Sequence, residues 1–335
     1  MRVLHGPVNV AGKLGVTARA LREIGVKAES CTFDPHQFGY ETDFCLHLSE
    51  APFWKIAQLK MWLFLLWAIA RYDTFHFYYG DTWLENNRDL ALLKKLNKKM
   101  VMEFCGSEVR RPSIASKNPY YVNSYDESDE RSTALMKKIA KFVDVAIVGD
   151  YELHEYVSPF FKTTIVGSRR VDIKGVAPHY PSKDTKRPII VHAPSQHAFK
   201  GTECIIQTVE MLRKDYEFEF ILVHGRPYEE ALKIYEQADI VIDQVRCGAY
   251  GTFAAECMAL GKPVVCYIRE DLQGTFPSGL PIISANPDNL EKQLRILLES
   301  AELRHNIGLQ SRAYAERVHD SRVVATQLKG IYENL

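Results

Sequence analysis

Twice along this chain, short β-branched and apolar runs alternate with helical periods. The two series are separated by KGVAPHYPSKDTKRP (174–188), which carries three prolines and no apolar period. The first series runs RVLH (2–5), a helical stretch TARALREIG (17–25) closed by a glycine, and a strand over 27–32. A helix at about 53–71 leads into DTFHFYY (73–79), LENNRDLALLKKL into KMVMEF (99–104), and STALMKKIAKF (132–142) into DVAIVG (144–149). The second series restarts with IIVHAP (189–194), then a helix over 203–214, a strand over 217–225, a helix over 228–237 and ADIVIDQV (238–245). A helix over 252–260 and the strand PVVCYI (263–268) follow, and three helical segments, 287–300, 301–318 and 320–333, close the chain. Alternation of this kind predicts parallel sheets covered by helices on both faces. The length of 335 residues exceeds what one core usually serves. The expected fold class is therefore α/β, with two Rossmann-like doubly wound domains, 1–173 and 189–318, joined by a linker at 174–188 and facing a cleft.

Composition narrows the partners. Lysine plus arginine equals aspartate plus glutamate, 42 each, so no global field draws nucleic acid, and KKLNKK at 94–99 reads as the solvated end of a helix. Seven cysteines form no C-x-x-C pair; several lie in apolar runs, where free cysteine acts as a small hydrophobe. The opening MRVLHGPVNV reads as a strand, not a cleavable leader, so a reducing cytoplasm is the expected compartment. MWLFLLWAIA (61–70) is uninterrupted apolar, but about ten residues fall well short of the ~20 that span a bilayer. The preferred reading of 53–71 is a buried helix between two strands. The second reading, prompted by tryptophan and by Lys55, Lys60 and Arg71, is a docking surface at the inner face of the membrane.

In open parallel sheets ligands bind beyond the carboxyl ends of the strands, so the loops after strands carry the chemistry. HGPVNVAGKLG (5–15) places Gly12 and Gly15 just before a helix; it lacks G-x-G-x-x-G, and a plain tight turn explains it almost as well. HAPSQHAFKGT (192–202) carries Lys200 immediately before a helix, where a lysine serves a diphosphate or is simply solvated. RCGAYGT (246–252) ends in Gly251 and Thr252, a helix start whose free N–H groups favour an anion by about 0.3–2 kcal/mol per contact. Glu256 lies one turn further into that helix, among Phe253, Ala255, Met258 and Ala259. A buried acid must find donors or neutralise. It caps nearby backbone, pairs with Arg269 or Lys262, or grips two sugar hydroxyls. His76, His192 and His197 are scattered, and such histidines are more often structural than ligand-binding.

The run ADIVIDQV…GAYGTFAAECMALGKPVVCY, preceded by a strand–loop–KGT unit, resembles the donor domain of GT-B glycosyltransferases of the large family four (group 1). The resemblance covers most of 189–270. It extends more weakly to HGPVNVAGKLG and FCGSEVRR (104–111), and residues 319–335 look like the closing helix that packs back on the N-terminal domain. It implies transfer of a sugar from a nucleoside-diphosphate sugar to an acceptor (a glycan, a lipid-linked or a small molecule), with retention. Glu256 matches the second acid of the E-x7-E motif, which holds the donor ribose. Gly251 and Thr252 match the helix start that receives the diphosphate, and Lys200 the base that neutralises it; Lys200 and Glu256 are the catalytic candidates. Ser195 and Tyr250 line the expected donor loops. Gly248 stands where the motif's first acid belongs, and Pro194 and Ser195 stand where an arginine belongs, a charge that Arg226 would supply from another loop. Cys105 replaces the histidine of a His-Gly-x-Asp type segment, and Glu108, with Arg110 and Arg111, is a candidate for acceptor contact beside Gly12, Gly15 and Cys105.

No D-x-D pair follows a strand, so a metal-independent reaction with no cofactor beyond the nucleotide sugar is expected. Two alternatives stand beside it. A nucleotide-sugar epimerase of the same fold would need acid–base groups that Gly248 and Cys105 do not provide. A non-catalytic nucleotide-sugar binder docked on a membrane through 53–71 would bind donor without turning it over.

Overall fold

The computed structural model describes residues 1–122 and 128–335. The chain divides into two compact units. One comprises Met1–Ile114, residues 128–170 and Ser321–Leu335; the other comprises residues 115–122 and 171–320. Residues 115–122 thus group with the second unit, and the division falls after Arg170.

The first unit holds β1 (Arg2–His5), β2 (Lys27–Thr32), β3 (Phe44–Cys45), β4 (Thr74–Tyr78), β5 (Lys99–Phe104), β6 (Val145–Val148) and β7 (Thr163–Val166). They form one parallel sheet in the order β3-β2-β1-β4-β5-β6-β7. The sequence reading found the five inner strands and missed β3 and β7, which are short and partly exposed. The helix Ser321–Glu333 belongs to this unit: Val324, Ala325, Leu328 and Tyr332 share a core with Val3, Ala18 and Leu21.

The helix Trp54–Arg71 departs from its preferred reading. Only Leu65 and Ala68 are buried, whereas Leu59, Leu63 and Leu66 are 57–59% exposed. A run apolar on every side does not say which side meets protein; here one narrow edge does.

The second unit holds β8 (Ile189–His192), β9 (Glu219–Leu222), β10 (Ile240–Ile242) and β11 (Val264–Val265), all parallel, in the order β11-β10-β8-β9. Val191 and Val241 face a core with Ala254, Ala255 and Met258. Ile190, Ile240 and Ile242 face the opposite core with Ile205, Val209, Leu290 and Leu294. Burial on both faces is why these strands read as continuous apolar runs, and each such side chain contributes about 1.5–3 kcal/mol. Residues 174–188 contain no regular element, yet they are fastened to this unit. The His179 N–H donates to Leu260 O (2.8 Å), Arg312 Nη1 to Val176 O (2.7 Å) and Arg304 Nη2 to Thr185 O (2.7 Å). Their backbone is paired by long cationic side chains instead of a ladder.

Candidate functional site

In the second unit the strand after β8 lies on one side of the β8–β10 pair and the strand after β10 on the other. The two loops diverge there, the switch point at which open α/β sheets form ligand crevices. Lys200 ends the short helix His197–Lys200 after β8. Gly201 follows at φ +80, where a Cβ would fall 2.5 Å from Val245 Cγ2, so this turn requires glycine. Lys200 Nζ lies 2.6 Å from Asp243 Oδ1, and Asp243 Oδ2 accepts the Gly251 N–H at 2.7 Å. Asp243 is fully buried at the end of β10. One carboxylate thus ties the lysine of one loop to the start of the helix Thr252–Ala259 in the other. Its N-cap, Gly251, has no side chain to cap it, and among the described residues the first N–H groups of the helix are left for an outside acceptor.

Glu256 lies one turn in. Burial pushes its carboxyl up to about 7; a hydrogen bond with Tyr228 opposes this, the Asp243 charge adds to it, and the Lys200 charge opposes it. The alternative partners are engaged elsewhere. Arg269 pairs with Asp271 at 2.6 Å, and Lys262 donates to the carbonyls of His179 and Glu236. Lys200, Asp243, Gly251, Thr252 and Glu256 therefore form one cluster at the strand ends.

The remaining donor-loop residues divide. Ser195 and Arg226 are exposed, Arg226 pairing with Glu230 at 3.7 Å in the loop after β9. Tyr250 turns into the core, its hydroxyl 3.3 Å from His319 Nε2, so it offers no side chain to a ligand. Gly248 has φ +95, and a Cβ there would fall 2.9 Å from both Cγ and Cδ of Arg269. The backbone and its neighbour thus leave no place for an acid. His192 is structural: Nδ1–H donates to Ile242 O, Nε2 accepts from Thr202, and burial lowers its pKa to about 4. Asp243 was missed because, in sequence, it is merely one of the polar letters that close an apolar run.

In the first unit the expected acceptor residues are spent on local structure. Glu108 is buried and accepts the N–H groups of Cys105 and Gly106 (the latter at 2.8 Å), closing its own turn. Burial raises its pKa to about 6, against those bonds. Arg110 forms a two-pronged pair with Glu152, and Arg111 donates to Tyr156 O. A Cβ on Gly12 would meet the Tyr40 ring at 2.9 Å, and one on Gly15 would meet Glu41 O at 2.4 Å, so both glycines admit residues 40–41 of their own chain. Burial pushes the Cys105 thiol up to about 12, despite Lys13 Nζ at 3.7 Å, which argues against a nucleophile. A buried cluster that the sequence did not announce lies at the ends of β1, β4 and β5. Glu103 meets Lys13 (3.1 Å) and Arg170 (2.5 Å), and His76 Nδ1 lies 2.7 Å from the Tyr332 hydroxyl.

Residues 206–330 match the family described as glycosyl transferase-like. No curated protein matches the chain significantly by sequence. Among solved structures, sucrose-phosphate synthase from Thermosynechococcus elongatus superimposes with a TM-score of 0.66 at 16% identity, covering 99% of this chain and 98% of that one. A glycosyltransferase from Rickettsia africae gives 0.65 at 12%, covering 99% and 97%. HepE from Anabaena, solved with UDP, gives 0.63 at 13%, covering 100% of both. The two parallel α/β units are those of the GT-B fold. The family match covers residues 206–330, most of the second unit, and the likeness to these structures gives the chain the GT-B fold.

Proposed function

We propose that the donor is a nucleoside-diphosphate sugar held by the second unit, that the reaction needs no metal ion, and that it proceeds with retention. The observation that carries the donor reading is the Lys200–Asp243–Gly251 tie. It holds a cation and an uncapped helix start together at the switch point, donors set in advance for the charge that develops on a departing diphosphate. Glu256, one turn further in, is placed to accept two ribose hydroxyls. HepE, of the same fold, has been solved with UDP and with UDP-glucose, which supports a uridine nucleotide as the first to try. The acceptor belongs to the first unit, with Gly12, Gly15, Cys105 and Glu108 shaping that site through the backbone rather than by contact.

The test is a thermal-shift screen with UDP, GDP, ADP and their sugar conjugates on wild type and Glu256→Ala, followed by sugar release with EDTA present. A ligand at 100 times its Kd raises stability by about 2.7 kcal/mol. A shift with one nucleotide, lost in the variant, with EDTA-insensitive release, is expected; no shift with any nucleotide overturns the donor site.

A further inference from the structure

The helix Trp54–Arg71 has 18 residues, about 27 Å at 1.5 Å per residue. Its outward side is formed by Ile56, Leu59, Leu63 and Leu66, with Trp54 66% and Trp62 45% exposed. Positions 56, 59, 63 and 66 recur at helical spacing, so they form one stripe. An apolar stripe of this length, left open to solvent, marks an interaction surface. No described helix is long and apolar enough to cross a membrane.

Charge identifies the occupant. From Ala51 to Tyr72 the sequence contains no aspartate or glutamate, but has Lys55, Lys60 and Arg71. Lys55 and Lys60 are exposed; Lys55 lies over the Trp54 ring, and among the described residues neither makes an ion pair. At its far end the helix runs into a surface cavity of about 430 Å³, lined by Arg2, Arg22, Lys27, Glu29, Arg71 and Tyr72. Arg71 there pairs with Glu29 at 3.3 Å, so the unpaired charge of the helix is that of Lys55 and Lys60. An isologous contact between two copies would bring these lysines together with no acid of the helix to offset them. An anionic lipid surface complements it: the leucines enter the acyl boundary, the tryptophans sit at headgroup level and the lysines meet phosphates.

We infer that the helix Trp54–Arg71 lies flat on an anionic phospholipid bilayer and docks the enzyme there as a peripheral protein. This does not depend on the donor reading, since a soluble-acceptor assay would be indifferent to it.

The experiment is co-sedimentation of the full chain with vesicles of phosphatidylcholine alone and with vesicles that also contain phosphatidylglycerol, at low and high salt. Pelleting with the anionic vesicles, weakened by salt, is expected. Leu59→Glu with Leu63→Glu should reduce partitioning more than about tenfold. Lys55→Gln with Lys60→Gln should cost about fivefold per lysine. Both pairs are exposed, so an unchanged thermal melt serves as the folding control, and the lysine pair decides the matter if the glutamate pair misfolds. Three results each overturn the inference: no pelleting of wild type, pelleting that ignores lipid charge and both variant pairs, or a dimer dissolved by Leu59→Glu with Leu63→Glu that never pellets.

Discussion

Lys200 and Asp243, 43 residues apart in sequence, meet at 2.6 Å, with the lysine side chain 10% exposed and the carboxylate fully buried. The pair does two things at once. It holds a cation at the sheet's switch point, and through the second carboxylate oxygen it fixes where the Thr252–Ala259 helix begins. Removing the acid alone leaves an uncompensated charge, so Asp243→Ala should cost about 3–5 kcal/mol of stability. Lys200→Met combined with Asp243→Asn should cost less than the sum of the single changes. Urea midpoints of the three variants check this; additive losses would mean that the pair is not coupled.

Glu256 gives the site a pH dependence whose sign is determined. Its folded-state pKa of about 7 lies above the ordinary carboxyl value of 4.5 because burial favours the neutral form. Its contribution to stability is therefore complete below about pH 4.5 and is lost as pH rises through about 7. On the proposed donor reading, gripping ribose hydroxyls needs the carboxylate, so affinity for the nucleotide found to bind should fall by about tenfold per pH unit below about 7 and level off above it. Calorimetric titrations at several pH values would show this, and Glu256→Gln should abolish the dependence along with most of the affinity.

An acid cannot simply be restored at position 248. The left-handed backbone and the stem of Arg269 both oppose any side chain there, at a cost of about 1–3 kcal/mol. Gly248→Glu should lower the melting temperature without raising turnover. Gly248→Ala should recover part of its loss when combined with Arg269→Ala, which removes the clash and leaves only the backbone strain.

The buried Glu103 cluster should behave as a structural unit. Arg170, and with it Lys13 and His76, holds Glu103 well below the usual carboxylate range in spite of burial. Glu103→Gln should therefore destabilise the first unit by about 3–5 kcal/mol. Hydrogen exchange should show the loss in the helix Ser321–Glu333 as well, whose Tyr332 bonds His76. Protection unchanged in that helix would separate it from the cluster.

Several features were legible in the sequence for local reasons. The strand–helix alternation, the break at 174–188 and the helix start at Thr252 follow from periodicity and turn chemistry, which neighbouring residues set among themselves. Lys200 and Glu256 stood out because each sits just before or just inside a helix that follows a buried strand. Asp243 and Glu103 did not, because the charges that define them lie far along the chain; Arg170 reaches Glu103 across 67 residues.

By itself, then, the sequence determined two parallel α/β units, their order and the loops that carry charge at the strand ends, since hydrophobic period and glycine placement act over a few residues. Only the tertiary structure decided which acids are buried against which cations, that Glu108 closes its own turn, and that Gly248 has no room for a side chain. It also decided that the apolar helix at 54–71 faces outward. Burial and pairing are properties of what surrounds a residue, and those surroundings come from segments that sequence proximity does not reveal.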